Sequence, residues 1–240
     1  MKTTSHQHGG IVAGGSLALV VLLASVFGAQ GGESVNSDFG KSSFKGLGWE
    51  AKGDWTIVNY GADKAGLAKK PGHVAKFAAN GDAVGTLTKK FLPIANPSLL
   101  TLTFDAGYGW GAKEHSQGFQ VMLLDAEGNG YIFGVARANA TWGAQWAPVA
   151  KYSFPDQLNW APAAIDTTQV AAMDGGGLRT FTITREVGGK WTFNGAGWTG
   201  GPLTFTDTTT KAFSQVVLRG TPNFDELLFG RVKLQTGPAR

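Results

Sequence analysis

Three tryptophans stand where a flat aromatic face is hard to bury. Trp110 lies in the run Gly107-Tyr108-Gly109-Trp110-Gly111, and Trp142 and Trp146 sit four apart in a polar stretch flanked by glycine and alanine. An exposed indole offers an apolar plane to the C–H side of a pyranose, and neighbouring amides or an imidazole can bind the sugar hydroxyls. His115, Gln117, Asn139 and Gln145 lie close by in sequence and have that chemistry. The other reading of the same aromatics is that they plug the end of a β-sandwich, and exposure separates the two.

Catalytic chemistry finds less support. Glycoside hydrolysis needs two carboxyls across one cleft, about 5–5.5 Å apart for retention or about 6.5–9.5 Å for inversion. The strand acids Asp105, Asp125 and Glu186 are isolated, and the adjacent Asp225 and Glu226 point to opposite faces of a strand. A lyase wants a histidine, tyrosine and arginine cluster for proton abstraction. Beyond the N-terminal segment the histidines are His73 and His115, and neither lies in such a motif. The stretch from Asp125 through Glu127 to Gly130 does not fit the twelve-residue calcium loop and reads as a hairpin turn. There is no phosphate loop, H-E-x-x-H, G-x-S-x-G or cysteine nucleophile. Basic residues between 64 and 76 (Lys64, Lys69, Lys70, His73, Lys76) suit either an anionic polysaccharide or a solvated face.

These groups must be positioned by strands. Apolar runs recur at short intervals with turn residues between them, and they predict strands over 55–60, 74–78, 85–91, 99–105, 119–125, 131–136, 178–185, 190–194, 213–219 and 226–234. In Thr180-Phe181-Thr182-Ile183-Thr184 the apolar residues fall on one face and the threonines on the other. Residues 126–130 and Val187-Gly188-Gly189 read as hairpin turns. Trp49, Trp55, Trp191 and Trp198, in or beside strands, are expected in the core. Residues 139–177 break the rhythm and predict a long insertion or loop system of the kind that carries function.

The first 32 residues hold one formal charge, Lys2, and residues 11–28 read IVAGGSLALVVLLASVFG. A polar start, an apolar run and then small residues match a secretory signal peptide, with cleavage near 28–31. The competing reading is a retained membrane anchor, because a helix across the uncharged stretch would reach about 36 Å. No cysteine follows, which excludes a lipoprotein anchor. The chain contains no cysteine at all and 36 glycines, so the exported part must be stabilised by a large core and not by disulfides. Lys and Arg number 21 against 17 Asp and Glu; without Lys2 the surplus is three, too thin for a nucleic-acid surface.

Three segments carry a resemblance. The opening stretch Asn36-Ser37-Asp38-Phe39-Gly40, Gly46-Leu47-Gly48-Trp49 and Gly53-Asp54-Trp55 resembles the start of laminin-G-like domains and jelly-roll carbohydrate-binding modules. Residues 118–131 are similar to the central hairpin of such domains. Phe224-Asp225-Glu226-Leu227-Leu228-Phe229-Gly230 resembles the closing strand of the concanavalin A-like lectin and glucanase superfamily. The resemblance implies an all-β, two-sheet antiparallel jelly-roll sandwich over 33–236, preceded by an apolar N-terminal helix over 1–31 that is a signal peptide or an anchor. It also implies a sugar site on a concave sheet or rim loops, which assigns carbohydrate binding to Trp110, His115, Asn139, Trp142, Gln145 and Trp146. A structural calcium where the first and last strands meet is implied as well, with Asp38 and Asp225 as ligands; capping and solvation explain isolated acids equally. The alternating acids of the superfamily's retaining glucanases are absent. The expectation is a secreted or cell-surface, non-catalytic carbohydrate-binding or adhesion domain, with glycan as partner, no nucleic acid, and membrane contact only through a retained N-terminal segment. A polysaccharide-cleaving hydrolase or lyase of the same fold, and a structural matrix protein that self-assembles without sugar, are the alternatives.

Overall fold

The computed structural model describes residues 32–40, 43–60, 72–78, 85–94, 99–108, 119–137, 149–152, 172–173, 177–195, 202–208, 212–220 and 227–237. They form strands β1 (Gly32–Ser37), β2 (Trp49–Lys52), β3 (Trp55–Tyr60), β4 (Gly72–Phe77), β5 (Gly85–Ile94), β6 (Leu99–Tyr108), β7 (Phe119–Leu124), β8 (Gly130–Arg137), β9 (Val149–Tyr152), β10 (Ala172–Met173), β11 (Gly177–Arg185), β12 (Lys190–Gly195), β13 (Leu203–Thr206), β14 (Phe213–Gly220) and β15 (Leu227–Gly237), with one 3-10 turn at Lys45–Leu47. All ten expected strands are present. β1, β2, β9, β10 and β13 are additional; β9 and β10 fall inside the stretch read as a loop system.

The strands build two sheets. The eight-stranded sheet runs β13-β12-β11-β6-β15-β4-β3, with β1 added beside β15, and the seven-stranded sheet runs β10-β8-β7-β14-β5-β2, with β9 added beside β8. Neighbours are antiparallel except β10 and β8. Two hairpins share one design. In the β7–β8 turn the Asp125 N–H donates to Asn129 O and the Gly128 N–H to Asp125 O; in the β11–β12 turn Glu186 N–H donates to Lys190 O and Gly189 N–H to Glu186 O. Each needs one left-handed residue to close a three-residue loop, and Gly128 and Gly189 supply it at φ 86° and 79°.

The core lies between the sheets and follows from alternation. Leu100, Leu102, Phe104 and Ala106 of β6 and Phe181 and Ile183 of β11 face Phe119, Val121 and Leu123 of β7, Tyr131 and Phe133 of β8, and Val216 and Leu218 of β14. Trp49, Trp55 and Trp191 are buried as expected; Trp198 lies outside the described residues. The core is dominated by rings. Phe104 stacks on Phe181 at 5.4 Å, and Phe119 stands edge-on to Phe104, Phe181 and Phe229. Such contacts add directional preference to the area term.

One interlock sets how the sheets meet. Gly85 of β5 and Gly220 of β14 are paired across the seven-stranded sheet, and the Phe77 ring from the opposite sheet enters the gap that two missing side chains leave. A Cβ on Gly85 would fall 2.1 Å from Phe77 Cε2, and one on Gly220 would fall 2.0 Å from Phe77 Cδ1. Gly220→Ala therefore forces the ring or a strand to move and is expected to cost about 1–3 kcal/mol or more. Gly188→Ala, where a Cβ meets nothing within 4 Å, is expected to stay within about 0.5 kcal/mol of the parent. Urea denaturation of the two variants checks both; equal stabilities would show that the ring does not need the glycine pair.

Candidate functional site

The registers collect several chain connections at one end of the sandwich. Gly220 pairs with both Gly85 and Phe119, Phe119 with Val135, Leu227 with Phe77 and Tyr108, and Tyr108 with Gly177. The segments carrying Trp110 and His115 (between β6 and β7), Asn139, Trp142, Gln145 and Trp146 (after β8) and Asp225 (between β14 and β15) are thus attached at this end. Those seven residues themselves lie outside the described residues, as does Gln117.

Next to these attachment points, the outward face of the seven-stranded sheet is laid out in rows across the strands. One row runs Lys52, Thr86, Arg219, Gln120, Gly134; the next runs Glu50, Thr88, Val217, Met122, Ile132; a third runs Lys90, Gln215, Leu124, Gly130. Glu50, Lys52 and Lys90 at the β2 and β5 edge are exposed, Thr86 and Thr88 lie on β5, the half-buried Arg219 stands on β14 in the middle of the sheet, and the far side carries glycine opposite Gln120. Met122, Leu124, Ile132 and Val217 form a buried apolar cluster of their own on this face, apart from the main core.

Gln120 is the unusual member. β7 reads Phe-Gln-Val-Met-Leu-Leu and all six residues are buried, so it is an apolar strand on both faces with one amide set into it. The Arg219 guanidinium Nη1 donates to Gln120 Oε1 at 2.5 Å. That contact fixes the amide with Nε2 as the remaining donor, and Nε2 is buried with no hydrogen-bond partner among the described residues. A buried amide N–H without an acceptor costs about 1–3 kcal/mol. Sequence reading passed over Gln120 and Arg219; the signal available was a polar side chain inside an otherwise uninterrupted apolar run.

At the edge of the same face lies an open depression of about 260 Å³ lined by Lys45, Gly48, Trp49, Glu50, Thr88 and Lys90. Its rim is held by local structure. The 3-10 turn ends at Gly48 in the left-handed region, whose N–H bonds Lys45 O, and Lys89 Nζ donates to Leu47 O. Trp49 Nε1 donates to the Ser37 hydroxyl at 2.9 Å, and its ring meets Phe39, a buried residue at φ 54°.

Three acids singled out in the sequence, Asp105, Asp125 and Asp38, are among the described residues. Asp105 lies on the eight-stranded sheet, accepting from the Thr180 hydroxyl at 2.7 Å with Arg231 at 3.9 Å. Asp125 Oδ1 accepts from the Asn129 N–H, as expected for a hairpin turn. Asp38, at the end of β1 beside β15, is exposed and its Oδ1 accepts from the Gly40 N–H at 3.0 Å. A carboxylate retains acceptor capacity after one such bond, so Asp38 fits a calcium ligand, but a hard cation needs about six to eight oxygens. No group of three or more histidine or acidic side chains converges among the described residues, so the other ligands would have to come from Asp225 and backbone or solvent oxygens.

No protein-family model matches the chain, and no curated protein matches it. Solved structures do. The carbohydrate esterase of Shiga toxin-encoding bacteriophage phi24B superposes with a TM-score of 0.51 at 14% identity, over 86% of this chain and 100% of that one. The exoplasmic/lumenal domain of VIP36 superposes with a TM-score of 0.50 at 11% identity in its Ca2+/Man-bound form, over 84% of this chain and 88% of that one. Its metal-free form gives the same score and identity over 84% and 90%. At such identities the likeness is one of fold, and it agrees with the two packed antiparallel sheets: the chain is a concanavalin A-like jelly-roll sandwich.

Proposed function

We propose that this chain is a non-catalytic carbohydrate-binding domain that works outside the cytoplasm, secreted or held at the cell surface, and that it binds glycan on the outward face of the seven-stranded sheet. The observation that carries the reading is Gln120. Its Nε2 is buried without an acceptor, as are the core indoles of Trp55 and Trp191, but it lies on the outward face beside the Arg219 guanidinium, where a sugar hydroxyl that reached it would supply the missing acceptor. Trp110, Trp142 and Trp146, with His115, Asn139 and Gln145, belong to segments attached at the same end of the sheet and would form the rim. The VIP36 domain, with the same fold, has been crystallised with Ca2+ and Man bound. The binding-only assignment is supported by the acids: Asp105 is on the other sheet, and Asp125 and Asp207 are tied to a turn and to Tyr131.

Calcium enters the proposal as a structural ion held by Asp38 and Asp225, where it would fasten the segment after β1 to the start of β15. Added calcium is then expected to raise the melting temperature and EGTA to reverse the rise, with Asp38→Asn abolishing the response. A melting curve indifferent to calcium removes the ion from the proposal.

The binding reading is tested on a glycan array with the full chain, with and without calcium. Retention of at least one polysaccharide class is expected, and no binding under either condition overturns it. Gln120→Met separates site from scaffold. Because it removes an unpaired buried donor but also the acceptor of the Arg219 guanidinium, the two effects oppose each other and its unfolding free energy is expected to fall by no more than about 2 kcal/mol, while glycan binding falls at least tenfold. A loss of stability with binding intact would make Gln120 a residue of the fold.

A further inference from the structure

The charge on the binding face is one-sided. Lys52, Lys90 and Arg219 project from the outward face of the seven-stranded sheet, and Lys45 stands on the turn beside it; Glu50 is the acid among them. Glu50 and Lys52 are 3.9 Å apart, both largely exposed, so that pair is loose and screened. Lys45 and Lys90 line the open depression from two different elements, together with Thr88 and the acid Glu50. Lys89, the next residue along β5, is turned to the Leu47 carbonyl and holds the turn that carries Lys45. A Cβ on Gly48 would lie 2.6 Å from Lys89 Nζ, so this position is built around that ammonium group.

Resting on the glycan reading above, we infer that the depression is an anion subsite of that site, and that the ligand is an acidic polysaccharide carrying carboxylate or sulfate groups. The subsite and Arg219 lie on the same face. Strands are about 4.8 Å apart, so Thr88 of β5 and Met122 of β7 are separated by about 10 Å. A chain of sugars lying along the β2 and β5 edge places one anionic group in the depression beside the exposed Lys45 and Lys90, while Gln120, Met122, Ile132 and Val217 farther along the face stay buried. Ammonium groups at an open rim bind carboxylate or sulfate as point charges and add salt-dependent affinity.

The test uses the full chain and a matched pair of probes, an oligogalacturonate and the same oligomer after carboxyl reduction, with a sulfated oligosaccharide and its desulfated form as the second pair. Calorimetry is expected to give at least tenfold tighter binding to one acidic member than to its neutral partner, weakening as NaCl rises. Lys45→Ala and Lys90→Ala, both at exposed positions, should each reduce acidic binding about three- to tenfold and flatten its salt dependence, so that the acidic-to-neutral ratio falls toward one. Circular dichroism confirms that the variants fold. Equal affinity for acidic and neutral members overturns the inference and leaves the glycan reading standing. Acidic binding that the double variant does not weaken overturns the subsite. Failure to bind any glycan overturns the glycan reading itself.

Discussion

The position of one sheet on the other depends on the seating of Phe77 between Gly85 and Gly220. Apolar burial alone would allow the sheets to slide, since it is proportional to area and has no direction. A ring in a socket made by two paired glycines does not slide, because the nearest alternative registers put side chains where the ring has to be. The same contact reaches the outward face of the seven-stranded sheet. Gly220 is followed backwards by Arg219 and pairs with Phe119, whose neighbour is Gln120. Alternation sends Gly220 and Phe119 inward and Arg219 and Gln120 outward. The interlock and the polar centre of the site are therefore opposite faces of the same residue pairs, and a strand shift that expelled Phe77 would also part the Arg219 and Gln120 side chains.

The other end of the sandwich is closed differently. Arg185, buried at the end of β11, lies 5.6 Å from the Trp191 ring centroid, and Trp191 is stacked on Phe205 with the planes 4° apart. The Tyr131 hydroxyl donates to Asp207 Oδ2 at 2.9 Å. Desolvation is the main cause pushing the Tyr131 pKa well up, with the Asp207 bond adding to it; desolvation likewise lowers that of Arg185, opposed by the charges of Tyr131 and Asp207. The phenol and the carboxylate at this end satisfy each other, and the Arg185 charge is set beside them and over the Trp191 ring. The Gln120 amide differs from them in keeping one donor unused.

Alternation made most of the sheet framework legible, and its failures have a common cause. β11 announces itself because Phe181 and Ile183 are buried while the intervening threonines are wetted. β2 has one buried residue, Trp49, in four, and β1 has Val35 and Ser37 buried among polar neighbours. Such edge strands are specified by pairing with a stronger neighbour and carry little pattern of their own. β13 alternates, but four residues are too few to distinguish it from a turn. The site was less legible. Loop tryptophans are conspicuous by type, whereas Gln120 gains meaning from Arg219, 99 residues away, and that proximity is created by the pairing of β7 with β14.

On the proposed reading, the layout of the outward face suits an extended ligand better than a single sugar. From Lys52 on β2 to Gln120 on β7 there are three strand spacings, about 14 Å, which is wider than one pyranose ring. Across that width the row runs from an ammonium group through a hydroxyl and a guanidinium to the Gln120 amide, and one strand further Gly134 leaves no side chain above the backbone. A monosaccharide beside Gln120 would leave the edge lysines to water, and they would then contribute only long-range attraction. A polymer lying over that edge would meet the lysines and threonines in turn, while Met122 and Ile132 stay buried in the cluster beside them. Each contact is individually weak, and the arrangement gains affinity from their number along one chain.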